Sequence, residues 1–170
     1  MLEHPIIFSR PMVRAIKSGR KTQTRRVAPP ARHGNTLQCP YGVPGDRLWV
    51  RETFRIKKSK TFCDTVFYNA DDLKGNHRWT PSIYMPRWAS RITLDITGVR
   101  LEQLQDISES DAEAEGVEKS GGWNADETEY GVNYRIPFSR LWDSINATRG
   151  YGWETNPRVW VITFRRLEDR

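Results

Sequence analysis

Cysteine is scarce in this chain. Its 170 residues hold two, Cys39 and Cys63, with no CxxC spacing. That excludes a disulfide framework and leads us to expect a reducing, cytoplasmic setting. Histidine is as sparse: His4, His33 and His77 stand apart, and no His/Cys/Asp spacing reads as a metal site. We therefore expect neither metal nor other cofactor. No apolar run approaches a membrane span, and Met1-Leu2-Glu3-His4-Pro5 lacks the basic and then apolar start of a secretory leader. No membrane partner is expected. Internal repeats and low-complexity segments are also missing.

Charge and tryptophan are abundant. The net charge is +6, with 27 Lys and Arg against 21 Asp and Glu, and seven residues are Trp. A basic balance favours anionic partners such as nucleotides, phosphate or nucleic acid without establishing them. Indole rings line ligand pockets as readily as cores. A chain of this length buries roughly 70% of its unfolded surface, enough for one domain without a staple.

Taken in order, residues 5–9 read as a short buried strand and Arg10–Ser18 as a helix with Met12, Val13, Ala15 and Ile16 on its apolar side. Gly19 ends that helix in the left-handed conformation glycine adopts freely. Arg20-Lys21-Thr22-Gln23-Thr24-Arg25-Arg26 follows, with four cations in seven residues. By itself it reads as a solvated basic turn; with the rest of the chain it suits an anion site or catalytic pocket. Residues 27–44 are proline-rich loop. A strand over 47–54 starts after the Gly45-Asp46 turn, with Trp49 on its outer face and Glu52 as a candidate functional acid near its end. A strand over 65–68 and an aromatic, proline-punctuated loop over 79–88 come next; Trp79, Arg87 and Trp88 there offer stacking planes and a cation. The alternation Ile92, Leu94, Ile96 marks the clearest strand, 91–101, bent or bulged at Gly98.

Residues 107–117 read as a short acidic helix with Ser108 as N-cap, Asp111 in the capping-box position and Gly116 at its end. Asp111 and Glu115 share one face, four residues apart. Residues 118–135 are polar loop. A helix over 137–146 carries Phe138, Leu141, Trp142 and Ile145 on one face, all expected in the core. A final strand, 158–165, is apolar on both sides and so buried. Short strands, few helices and long connections point to a small, partly closed β-barrel decorated by helices.

This order of parts resembles the ASCH domain of the PUA-like superfamily. The resemblance rests on Gly19-Arg20-Lys21-Thr22-x-Thr24 after the first helix, Pro44-Gly45-Asp46 before a strand, the acidic helix, and the terminal strand. It implies an α+β fold, a small PUA-like (ASCH) mixed β-barrel decorated by short helices. The chain reads as a single such domain, 1–170, with insertions near 55–90 and 118–157. Their wording, Trp-Val-Arg-Glu, Met-Pro-Arg-Trp-Ala-Ser-Arg and Leu-Trp-Asp-Ser-Ile-Asn, resembles longer ASCH proteins often found in phages and prophages.

Small bacterial members of that family remove the acyl group of N4-acetylcytidine with a Lys, a Thr three residues on, and a Glu from the later acidic helix. The resemblance thus implies Lys21, Thr24 and Glu115 as catalytic residues. Amide hydrolysis at the cytosine N4 needs a nucleophile, a base for its proton and a proton for the departing amine. The Thr24 hydroxyl can attack if Lys21, desolvated, takes its proton; Glu115 holds the lysine and relays a proton to N4. Activation of water by Lys21 and Glu115, with Thr24 orienting it, is equally permitted. Arg26 or a backbone N–H stands for the oxyanion. Phe8, Arg26, Glu52, Trp79, Arg87 and Trp88 are candidate substrate contacts. The expected activity is that of an N4-acylcytidine amidohydrolase with a small nucleoside as partner. The other reading is a PUA-like module that binds RNA or other nucleic acid, with ribonuclease activity as a variant.

Overall fold

Seven strands and three α-helices form the framework of the described residues. The computed structural model describes residues 1–28, 38–59, 63–71, 77–120 and 133–167. The strands are β1 (Glu3–Ile7), β2 (Gln23–Val27), β3 (Arg47–Arg51), β4 (Phe54–Lys57), β5 (Thr65–Tyr68), β6 (Thr93–Gln103) and β7 (Arg158–Arg166). The helices are α1 (Arg10–Lys17), α2 (Glu109–Ala114) and α3 (Arg135–Asn146). Five strands make one mixed sheet in the order β1-β3-β6-β7-β2, parallel only between β1 and β3. β4 and β5 form a separate antiparallel pair.

The architecture is α+β, as expected, but the main sheet does not close into a barrel. β1 and β2 are its edges. A side chain spans the gap instead: Arg26 on β2 donates from Nη2 to the Ile7 carbonyl at the end of β1, 2.7 Å away. β6 carries the bulge expected at Gly98, where its register against β7 shifts between Ile96 and Gly98. A Cβ at Gly98 would collide with the Thr163 hydroxyl on β7.

β7 is buried on both faces. Ile162 and Phe164 join Ile6, Phe8, Leu48 and Val50 on one side, while Val159 and Val161 join Leu104, Ile107, Phe138 and Trp142 under α2 and α3. Period-2 alternation places these two sets on opposite faces.

The basic stretch is a strand rather than a turn, since β7 pairs with Gln23–Val27 along its whole length. Residues 47–54 do not form one strand. The chain breaks at Glu52-Thr53, where Glu52 turns inward to Arg91 and Phe54 pairs with Thr80. Trp49 is covered by guanidinium groups, Arg51 at 5.5 Å and Arg87 at 5.9 Å from its ring. Residues 79–88 contain a single-turn 3₁₀ helix over Ser82–Tyr84 and lead into a second over Arg87–Ala89. They close a small core of Phe54, Met85 and Ala89. Parts of two expected loops, 29–37 and 121–132, lie outside the described residues. No described helix is long and apolar enough to cross a membrane.

Candidate active site

Lys21 is held between the ends of two helices. α1 stops at Gly19, whose φ is +77°. The Lys21 N–H then donates to the Ala15 carbonyl at 3.0 Å, and the Thr22 N–H to the Ala114 carbonyl of α2 at 2.9 Å. α2 starts as its sequence predicts, with the Ser108 hydroxyl accepting from the Asp111 N–H at 3.1 Å. It ends at Gly116, with φ +80°. A Cβ there would lie 2.7 Å from Lys21 Cβ and 2.9 Å from Ala15 Cβ, so only glycine lets the helices close on the lysine.

The Lys21 side chain has no exposed surface. Its Nζ donates to Glu115 Oε2 at 2.7 Å and to the Glu115 carbonyl at 2.8 Å. The Phe8 ring lies 5.6 Å from the same nitrogen. Burial pushes the ammonium below its usual range, against the opposing pull of the Glu115 carboxylate.

Arg25 faces Glu115 from β2, with Nη1 3.3 Å from Oε1. Its other donors reach Gln23 Oε1 at 2.6 Å, Glu102 Oε1 at 2.5 Å and Asp111 Oδ2 at 2.9 Å. Arg100 closes the cluster by donating to Glu102 and Asp111. The buried lysine is thus backed by a network that fixes the orientation of Glu115.

Glu115 opens onto a cavity of about 140 Å³. Thr24, Arg25, Arg26 and Val27 line it in succession, so it runs along the edge of β2. Tyr41, Met12 and Arg149 line it too, with Phe138, Leu141, Trp142, Ile145 and Asn146 from α3. Thr24 is buried yet makes no side-chain hydrogen bond to another described residue. Asn146 donates to the Trp142 carbonyl at 3.2 Å. A second cavity, about 420 Å³, shares Met12, Glu115 and Leu141 with the first.

The structure brings Lys21, Thr24, Glu115, Arg26 and Phe8 together. Lys21 and Phe8 lie behind the cavity wall, whereas Thr24, Arg26 and Glu115 form part of it. Four other candidates sit elsewhere. Glu52 receives a two-pronged pair from Arg91, 2.9 and 3.1 Å, and burial pushes its carboxyl up against that pair. Trp79 lines a cavity of about 360 Å³ against the β4–β5 pair, with Arg55, Phe67 and His77. Arg87 binds both carboxylate oxygens of Glu3, and Trp88 is 63% exposed. Their ion pairs hold Glu52 and Arg87 away from Lys21.

Arg25, Asp111, Tyr41, Asn146 and Arg149 were not singled out by sequence as site residues. The one visible signal was the spacing of Asp111 and Glu115 on a shared helix face. No group of three or more His, Cys, Asp or Glu among the described residues is arranged to hold a metal.

No family model matches the sequence, and no curated protein matches it. Among solved structures the chain is similar to protein EF3133 from Enterococcus faecalis V583, of the family DUF984. The TM-score is 0.52 at 13% identity, covering 98% of this chain and 81% of that one. The likeness is one of fold. The mixed sheet, second small sheet and short helices are compatible with a small PUA-like architecture.

Proposed function

We propose that this protein is an amidohydrolase that removes the N4-acyl group from N4-acylated cytosine nucleosides. The observation that supports the reading most is the buried Lys21–Glu115 pair, 2.7 Å apart, which opens through Glu115 onto a cavity that Thr24 also lines. A lysine pushed toward its neutral form is free to accept a proton at lower pH than an exposed lysine, and a hydroxyl free of other bonds can give one up.

In this reading the Thr24 Oγ1 adds to the acyl carbon while its proton passes to the Lys21–Glu115 pair. The tetrahedral intermediate collapses, the C–N4 bond breaks, and the pair returns the proton to N4. Water then adds to the acyl-threonine and gives its proton to the pair, which returns it to Thr24 as the carboxylic acid leaves. β2 is an edge strand, so its outward N–H groups are available for the oxyanion. A cavity of about 140 Å³ is smaller than the ~300 Å³ of ordinary ligand pockets, so it suits a pyrimidine ring with the sugar at its mouth. Asn146 has an amide oxygen and a second N–H left to meet the ring.

The test is release of cytidine from N4-acetylcytidine by the purified protein. Thr24→Ser should keep part of the activity and Thr24→Val none. Full activity in Thr24→Val would shift the attack to water.

A second reading, a nucleic-acid-binding module, draws on the surface around residues 79–88. Tyr84 and Trp88 are both exposed, and the chain carries a net +6. Aromatic planes among cations suit single-stranded nucleic acid. Binding that weakens steeply with salt, and with Trp88→Ala, is the result this reading requires.

A further inference from the structure

The cations around the cavity are not equally matched. Lys21 is paired with Glu115. Arg25 meets Glu102, Asp111 and Glu115, and Arg100 meets Glu102 and Asp111. Arg26 and Arg149 line the same cavity and make no ion pair with a described carboxylate. Five cations therefore stand against three carboxylates, and these two are the surplus. Arg26 donates from Nη2 to the Ile7 carbonyl, while its Nε is buried without a hydrogen-bond partner. The Phe8 and Tyr41 rings flank its guanidinium at 5.2 and 5.9 Å and hold it in place. Arg149 follows α3 and is exposed, so the two guanidiniums run from the cavity interior to its mouth. Two like charges lining one half-buried cavity, neither ion-paired to a described carboxylate, suit a dianion from outside.

We infer that Arg26 and Arg149 form a phosphate subsite at the mouth of the cavity, and that the substrate is a cytidine nucleotide bearing a phosphate monoester. The base and sugar of this assignment rest on the amidohydrolase reading; the phosphate rests on the two arginines alone. A phosphate monoester carries between about −1.5 and −2 at neutral pH, close to the surplus, and guanidinium forks match its oxygens. With the pyrimidine ring among Tyr41, Trp142 and Asn146, the phosphate lies outside the ring, where Arg149 stands.

The experiment compares the binding of cytidine, cytidine 5′-monophosphate, ribose 5-phosphate and a cytidine dinucleotide with only an internal phosphodiester, by calorimetry. The expected result is monophosphate binding at least tenfold tighter than cytidine, with the dinucleotide no better than cytidine. Arg149→Ala should cut the monophosphate-to-cytidine ratio to within about twofold, and Arg149→Lys should restore part of it. Equal binding of monophosphate and cytidine, or an unchanged ratio in Arg149→Ala at unchanged melting temperature, would overturn the subsite. Tighter binding of the dinucleotide than of the monophosphate would overturn the monoester. Ribose 5-phosphate bound through Arg149 by a protein that ignores cytidine would keep the subsite and remove the cytosine reading. Binding of none of the four would overturn both.

Discussion

At the scale of single residues, the central object is a lysine without water. Lys21 is uncharged more readily than an exposed lysine because burial removes the solvation of its ammonium, and Glu115 only partly restores it. In the window between its lowered value and the ordinary 10.5, the unfolded chain holds a proton that the folded chain does not. Stability from this group therefore rises with pH through that window and is lost as pH falls through it. Activity should show the same sense, an ascending limb in kcat/KM centred below pH 10.5, read from a pH–rate profile. A descending limb alone would assign the base to another group. Lys21→Met should abolish turnover and cost roughly 3–5 kcal/mol, because it breaks a buried pair, although Arg25 still faces the carboxylate. Urea denaturation measures that cost. The resemblance carried by the Gly19–Thr24 run and the acidic helix pointed to Lys21, Thr24 and Glu115, and the structure brings the three together. Arg25 was not singled out, since nothing local tells a strand arginine that binds three carboxylates from one in water.

At the scale of elements, the site depends on how α1, α2 and β2 meet. Gly116→Ala forces a methyl group to within 2.7 Å of Lys21 Cβ at a left-handed φ. We expect a loss of about 1–3 kcal/mol, from strain at the special φ, and at least a hundredfold fall in turnover. Near-normal turnover would show that the α2 end does not position Lys21. The apolar face of α3 was legible in its period, but not its allocation. Phe138 and Trp142 are buried as expected, whereas Leu141 is half-buried and Ile145 exposed, and all four line the cavity. A helix that walls a pocket and a helix that walls a core have the same pattern of apolar residues. Glu52, a candidate substrate contact by sequence, is instead paired with Arg91 and lies outside the Lys21 cavity. Glu52→Gln should lower the melting temperature through its lost pair with Arg91, while each folded molecule keeps its turnover.

At the scale of the whole molecule, the sheet was expected to be partly closed and is open between β1 and β2. Strand content and alternation were readable from sequence. Closure was not, because it depends on which edges meet across long separations. Here a single guanidinium, Arg26 to Ile7, spans the edges, and the same residue lines the cavity. The aromatic segment 79–88 offers rings to a ligand or to the core, and it packs on the β4–β5 pair, where Trp79 lines a separate cavity. Local sequence shows that rings are clustered, but not which side of the fold they cover.

The most direct test is to incubate the protein with N4-acetylcytidine, follow cytidine release by absorbance, and run Lys21→Ala and Glu115→Ala in parallel. The account predicts release by the unaltered protein and none by either variant, with both still folded by circular dichroism. No release by the unaltered protein, or near-normal release by either folded variant, would contradict it.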